Sequence, residues 1–114
     1  MARLAPIAFA FALLATPALA VDLDETAEIT LWCGQAFTIV SGEIKTDDAE
    51  MSAELETRGT ALLTKARALI KAAGISDADA ETTVTAYRTD VATQIAGTGE
   101  NAKFSYDDCM ALEQ

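Results

Sequence analysis

The chain predicts an all-α fold: a small antiparallel bundle of three long helices and a short C-terminal helix, with one disulfide joining the first and last helices. Three observations carry that expectation. Apolar residues recur at steps of three and four along successive stretches. Acidic or hydroxyl residues stand where those stretches begin, and glycines stand where the long ones end. The inferred connections are short, which favours antiparallel packing of neighbours. Little of the sequence reads as strand.

The first helix is expected over residues 24–40. Asp22, Asp24, Glu25 and Glu28 crowd its start, where negative charge complements the helix dipole. Ile29, Cys33, Phe37 and Val40 share one face, Leu31, Trp32 and Ile39 widen the apolar surface, and Ser41-Gly42 is the expected end.

The second helix is expected to open on Asp47, with Glu50 three residues on in a capping-box-like arrangement. Met51, Leu55, Gly59, Leu62, Ala66, Leu69 and Ala73 form its stripe. Gly59 falls on that stripe and reads as a close-contact or kink position. Gly74 supplies a left-handed cap, with Ile75 beyond it.

The third helix starts from Ser76 and carries Ala80, Val84, Tyr87, Val91 and Ile95 on one face. Its threonines lower intrinsic propensity, so it depends on packing. Gly97-Thr98-Gly99 ends it. The fourth spans about 105–112, with Asp107 and Asp108 in its first turn.

Residues 1–20 read as a secretory signal peptide, and 21–114 as a single helical domain. Arg3 is followed by an apolar run from Ile7 to Ala15, then Pro17 and the small-x-small site Ala18-Leu19-Ala20. The apolar run is shorter than the roughly 20 residues of a membrane span, so no membrane association is expected after cleavage. The expected compartment is the periplasm, where disulfides persist. Cleavage would remove Arg3 alone among the charged residues, leaving seven basic against eighteen acidic side chains and a net charge of −11. Such a field disfavours nucleic acid and anionic lipid.

Two cysteines in an exported chain pair by default, so Cys33 and Cys109 are assigned to one disulfide. Closing a loop of that length constrains the unfolded chain by about 4.5 kcal/mol. Gly34 is expected to let the final helix approach Cys33 closely. A redox pair is disfavoured, since no C-x-x-C is present and Asp107 and Asp108 would raise the Cys109 thiol rather than activate it.

Catalytic and cofactor chemistry find few candidates. The chain has no histidine, hence neither the usual general base near neutral pH nor the commonest metal ligand. It also lacks a haem-attachment motif, a phosphate loop and a serine-nucleophile context. Asp22-Leu-Asp24 and Asp77-Ala-Asp79-Ala-Glu81 have the alternation of calcium loops but lack the glycine at the sixth position. These clusters read as caps. No enzyme activity, cofactor or metal is expected.

Two functional classes remain. One is a protein-binding or chaperone-like role, acting on another envelope protein or on a second copy of itself. Leu31, Trp32 and Ile39 would be the interaction surface, unless they are core between two neighbours. An accessory subunit of an envelope complex belongs to the same class. In layout (signal peptide, about 90 mature residues, all helical, one long-loop disulfide) the chain resembles the small acid-stress chaperones of Gram-negative periplasms. That likeness lies in size and architecture, and no residue role follows from it. Acidification below about pH 3 would swing the net charge from −11 to about +8 and loosen the bundle or a dimer. The other class is a small-molecule- or cation-binding bundle, with its ligand between helices near Gly59 and Tyr87.

Overall fold

The computed structural model describes residues 23–97 and 99–112. The expected signal segment 1–20 lies outside them. Four helices follow in order: α1 Glu25–Ile44, α2 Ala49–Ala72, α3 Asp77–Ile95 and α4 Tyr106–Ala111. The fold is all-α as the sequence predicts, three long helices and a short one, with Cys33 bonded to Cys109.

Helix α1 is the centre of the bundle and packs against each of the other three. Residues 30–37 are buried without interruption, which explains why its apolar positions spread around the axis instead of forming a stripe. Asp24 caps it by accepting from the Ala27 N–H at 2.7 Å.

The expected stop at Ser41-Gly42 is wrong, because α1 continues to Ile44. Ser41 is buried rather than turned out to water. Its hydroxyl donates to the Ser52 carbonyl at 2.7 Å, and the Ser52 hydroxyl returns a bond to the Ser41 carbonyl at 2.7 Å. With its polar atoms satisfied across the seam, Ser41 no longer competes for its own backbone.

Helices α1 and α2 are antiparallel and approach closely at two glycines. A Cβ on Gly59 would sit 2.6 Å from Thr38 Cγ2 and 3.0 Å from the Gly34 carbonyl oxygen. A Cβ on Gly34 would meet Leu63 at 2.9 Å. Gly59 is therefore a close-contact position, one of the two expectations for it. Gly34 opens room for α2, not for the final helix, which corrects the expectation placed on it.

The start of α2 is capped by Asp48, accepting from Met51 N–H at 3.0 Å, and not by Asp47. Its buried face is Ser52, Leu55, Gly59, Leu62, Ala66 and Ile70. The expected stripe is right in the middle and one residue out at each end, where Met51 and Ala73 are exposed and Leu69 half-buried. Ser52 and Ile70 stand five turns of 3.6 residues apart and so share a face, a polar member that hydrophobic spacing alone overlooks.

Gly74, at φ +92°, turns the chain out of α2. Ser76 caps α3 by accepting from Asp79 N–H at 3.2 Å. Ala80, Val84 and Val91 are buried along α3, with Tyr87 and Ile95 half-buried. Thr82, Thr83 and Thr93 donate to carbonyls one turn back, which satisfies hydroxyls that would otherwise oppose the helix.

Two core clusters result. Leu31, Ala66, Ile70, Ala80 and Val84 form one between α1, α2 and α3. Trp32, Cys33, Ala36, Phe37, Leu55, Leu62, Val91 and Cys109 form the other, at the disulfide end.

Candidate ligand cleft

The disulfide-end cluster is not filled. A half-open cleft of about 330 Å³ enters it between α1, the end of α3, the strap 99–105 and α4. Trp32, Ala36, Phe37 and Val40 form its floor, because spacings of four, one and three place them together on α1. Leu55 and Ile95 close the sides, while Gly99, Ala102, Phe104 and Ser105 of the strap and Tyr106 and Cys109 of α4 complete the wall. Among the described residues no carboxylate, cationic side chain or side-chain amide lines it.

The wall is positioned by polar contacts outside the cleft. Trp32 Nε1 donates to Gln94 Oε1 at 2.9 Å, and the Lys103 backbone N–H donates to the same oxygen at 3.0 Å. One amide of α3 thereby fixes both the floor and the strap. Phe104 meets Trp32 edge to face at 5.7 Å between ring centroids, a favoured aromatic geometry. Ser105 caps α4 in a full capping box with Asp108: the Asp108 N–H donates to Ser105 Oγ at 3.1 Å, and the Ser105 N–H donates to Asp108 Oδ2 at 2.9 Å. The Cys33–Cys109 bond then holds α4 to α1.

Beside the strap, Glu28 Oε2 accepts two bonds of 2.5 Å, from the Tyr87 hydroxyl and from Lys103 Nζ. The Lys103 hydrogen bond, then that of Tyr87, holds the Glu28 carboxyl below its ordinary value against the opposing effect of burial. Burial, followed by the bond to Glu28, pushes the Tyr87 hydroxyl well above its ordinary value.

The structure redistributes the residues singled out in the sequence. Leu31 is fully buried, and Trp32 keeps only 3 % of its surface. Ile39 is half-buried. The first two therefore offer no outward surface in this chain, since α1 lies between neighbours; Trp32 instead floors the cleft. The ligand position expected near Gly59 and Tyr87 is also corrected. Gly59 is closed off by Thr38 and Phe37, and Tyr87 is committed to Glu28. Among the described residues, no group of three or more acids or cysteines could hold a metal ion, and no helix is long and apolar enough to cross a membrane.

Sequence reasoning missed Gln94 and Lys103. Both look like ordinary solvated side chains, and only the meeting of a helix end with a strap residue gives them a role. Comparison with family models, curated proteins and solved structures finds no match for the chain. The likeness in layout to acid-stress chaperones thus gains no support from relatives.

Proposed function

We propose that the chain is a non-enzymatic binding protein of the periplasm that seats one small apolar molecule in the cleft beside its disulfide. The carrying observation is the cleft itself: about 330 Å³, lined mainly by aromatic and aliphatic side chains. The Ser105 and Tyr106 hydroxyls are its polar side-chain groups, with no carboxylate or cationic side chain among the described lining residues. Ligand sites begin at about 300 Å³, and a dry apolar cavity of about 150 Å³ already holds a benzene-sized molecule. The expected occupant is uncharged where it is buried, such as a medium-length aliphatic chain, each methylene contributing about 0.8 kcal/mol. Export rests on the N-terminal sequence pattern.

The size of the cleft favours this class over protein docking. A stable protein interface covers about 800 Å² per partner. Among the described residues the only large apolar side chains counted as exposed are Met51 and Tyr106, at 43 % and 61 %. A protein client or a second copy would need the bundle to open first.

The chain has a single tryptophan, and it floors the cleft. Titration with the neutral probe N-phenyl-1-naphthylamine therefore tests the proposal by energy transfer from Trp32. One probe per chain should bind, 1-decanol should displace it, and Ala102→Phe should abolish transfer by filling the cleft. Absence of saturable transfer, or transfer indifferent to Ala102→Phe, would contradict it.

A further inference from the structure

The strap is attached differently from every other wall of the cleft. Trp32, Leu55 and Ile95 project from helices packed into the bundle, whereas residues 99–105 span the opening outside any helix. Among the described residues they hold a single internal turn bond, from the Ala102 N–H to the Gly99 carbonyl at 3.1 Å. At one end Gly99 has φ +74°, a conformation that suits a joint. At the other, Ser105 is fixed as the cap of a helix that the disulfide ties to α1. Between them, among the described residues, the polar hold on the body is made by Lys103, through its N–H on Gln94 and its ammonium on Glu28.

We propose that residues 99–105 are a lid over the cleft and that Lys103 on Glu28 is its catch. This rests on reading the cleft as a ligand seat. The catch itself releases at low cost. Lys103 is 49 % and Glu28 24 % exposed, so the pair exchanges readily for water. Ala102 and Phe104 face the cleft from the strap, and their withdrawal widens the entrance. The floor stays in place meanwhile, because the Gln94 amide keeps Trp32 Nε1 after Lys103 N–H has left. Glu28 also keeps the Tyr87 hydroxyl from α3, where Asp90 is the further charge acting on Tyr87. The catch can therefore release without unmaking the core beneath it.

Lys103→Met and Lys103→Arg test this in the full chain, with stopped-flow binding of N-phenyl-1-naphthylamine and hydrogen exchange of the 102–104 amides. Breaking the catch raises the open fraction, so Lys103→Met should speed both association and dissociation roughly two- to fivefold, the range of an exposed ion pair. Affinity should stay nearly unchanged, and exchange at 102–104 should rise by a similar factor, with the urea midpoint lowered only by the small contribution of an exposed ion pair. Lys103→Arg, which retains the pair, should restore parental rates. Unchanged rates, or a faster dissociation alone, would overturn the lid. Unchanged exchange in Lys103→Met would overturn it even where the probe fails to bind the parent, the outcome that removes the ligand seat itself.

Discussion

Against α2, helix α1 presents Gly34 and receives Gly59, and a reciprocal pair of serine hydroxyls ties the two backbones together. Against the strap and α4, the same helix presents Trp32, Ala36, Phe37 and Val40, and the opposing wall meets them only in part, through Phe104 on Trp32 and Tyr106 on Phe37, leaving a cleft between. One flank is closed by leaving side chains out. The other holds bulky side chains around a space and is drawn together by a disulfide. Room for a ligand thus arises where a covalent bond, rather than close packing, holds the elements in place. A packed seam tolerates no added atom, while a stapled one can enclose a void and remain folded.

The largest effect should come from the staple. The double variant Cys33→Ser/Cys109→Ser should lose about 4 kcal/mol in urea unfolding, as expected for a closed loop of this length. In hydrogen exchange the loss should show first in α4 and the strap, with the α1–α2 seam opening later. A uniform loss would erase the contrast between the flanks.

Next in size, Gly59→Ala should destabilise by about 1–3 kcal/mol, since the new methyl meets Thr38 and the Gly34 backbone. Gly42→Ala sharpens the same comparison with the opposite sign. It lies inside α1, nothing stands within 4 Å of the added Cβ, and the change should stabilise by about 0.5–1 kcal/mol. If both alanines destabilise alike, close approach is not what sets the seam.

The smallest effect is the pH response of the catch. Because Glu28 is held below its ordinary value when folded, the unfolded chain takes up that proton first as pH falls. Its contribution is present above the ordinary glutamate value of about 4.3 and is lost as pH drops through the folded one. Glu28→Gln should flatten the acid limb of the stability curve by that amount. At the alkaline end Tyr87 works in the other direction. The unfolded hydroxyl ionises near pH 10 while the folded one stays protonated, so stability should fall as pH rises past that value.

Much of this was legible in the sequence because it is local. Ser76 and Ser105 as caps, Gly74 as a turn and the central residues of each stripe follow from periodicity and capping chemistry, and the structure has them so. The cysteine pairing was legible from the expected compartment. The end of α1 was not, because Ser41 is kept helical by Ser52, eleven residues away. The cleft was not either. Its floor reads as ordinary core spacing, and a void is a property of what the facing strap fails to fill. Trp32 could be marked as important but not assigned a direction, since the apolar positions of α1 spread well beyond one stripe.

The most direct test is residue-resolved: a heteronuclear NMR titration of the oxidised chain with 1-decanol. Shift changes should saturate at one molecule per chain and centre on Trp32, Phe104, Ile95, Val40 and Ala102, leaving Gly34, Gly59 and Ser41 unmoved. Changes centred on the α1–α2 seam, or none at saturating alcohol, would contradict a ligand seat at the disulfide end.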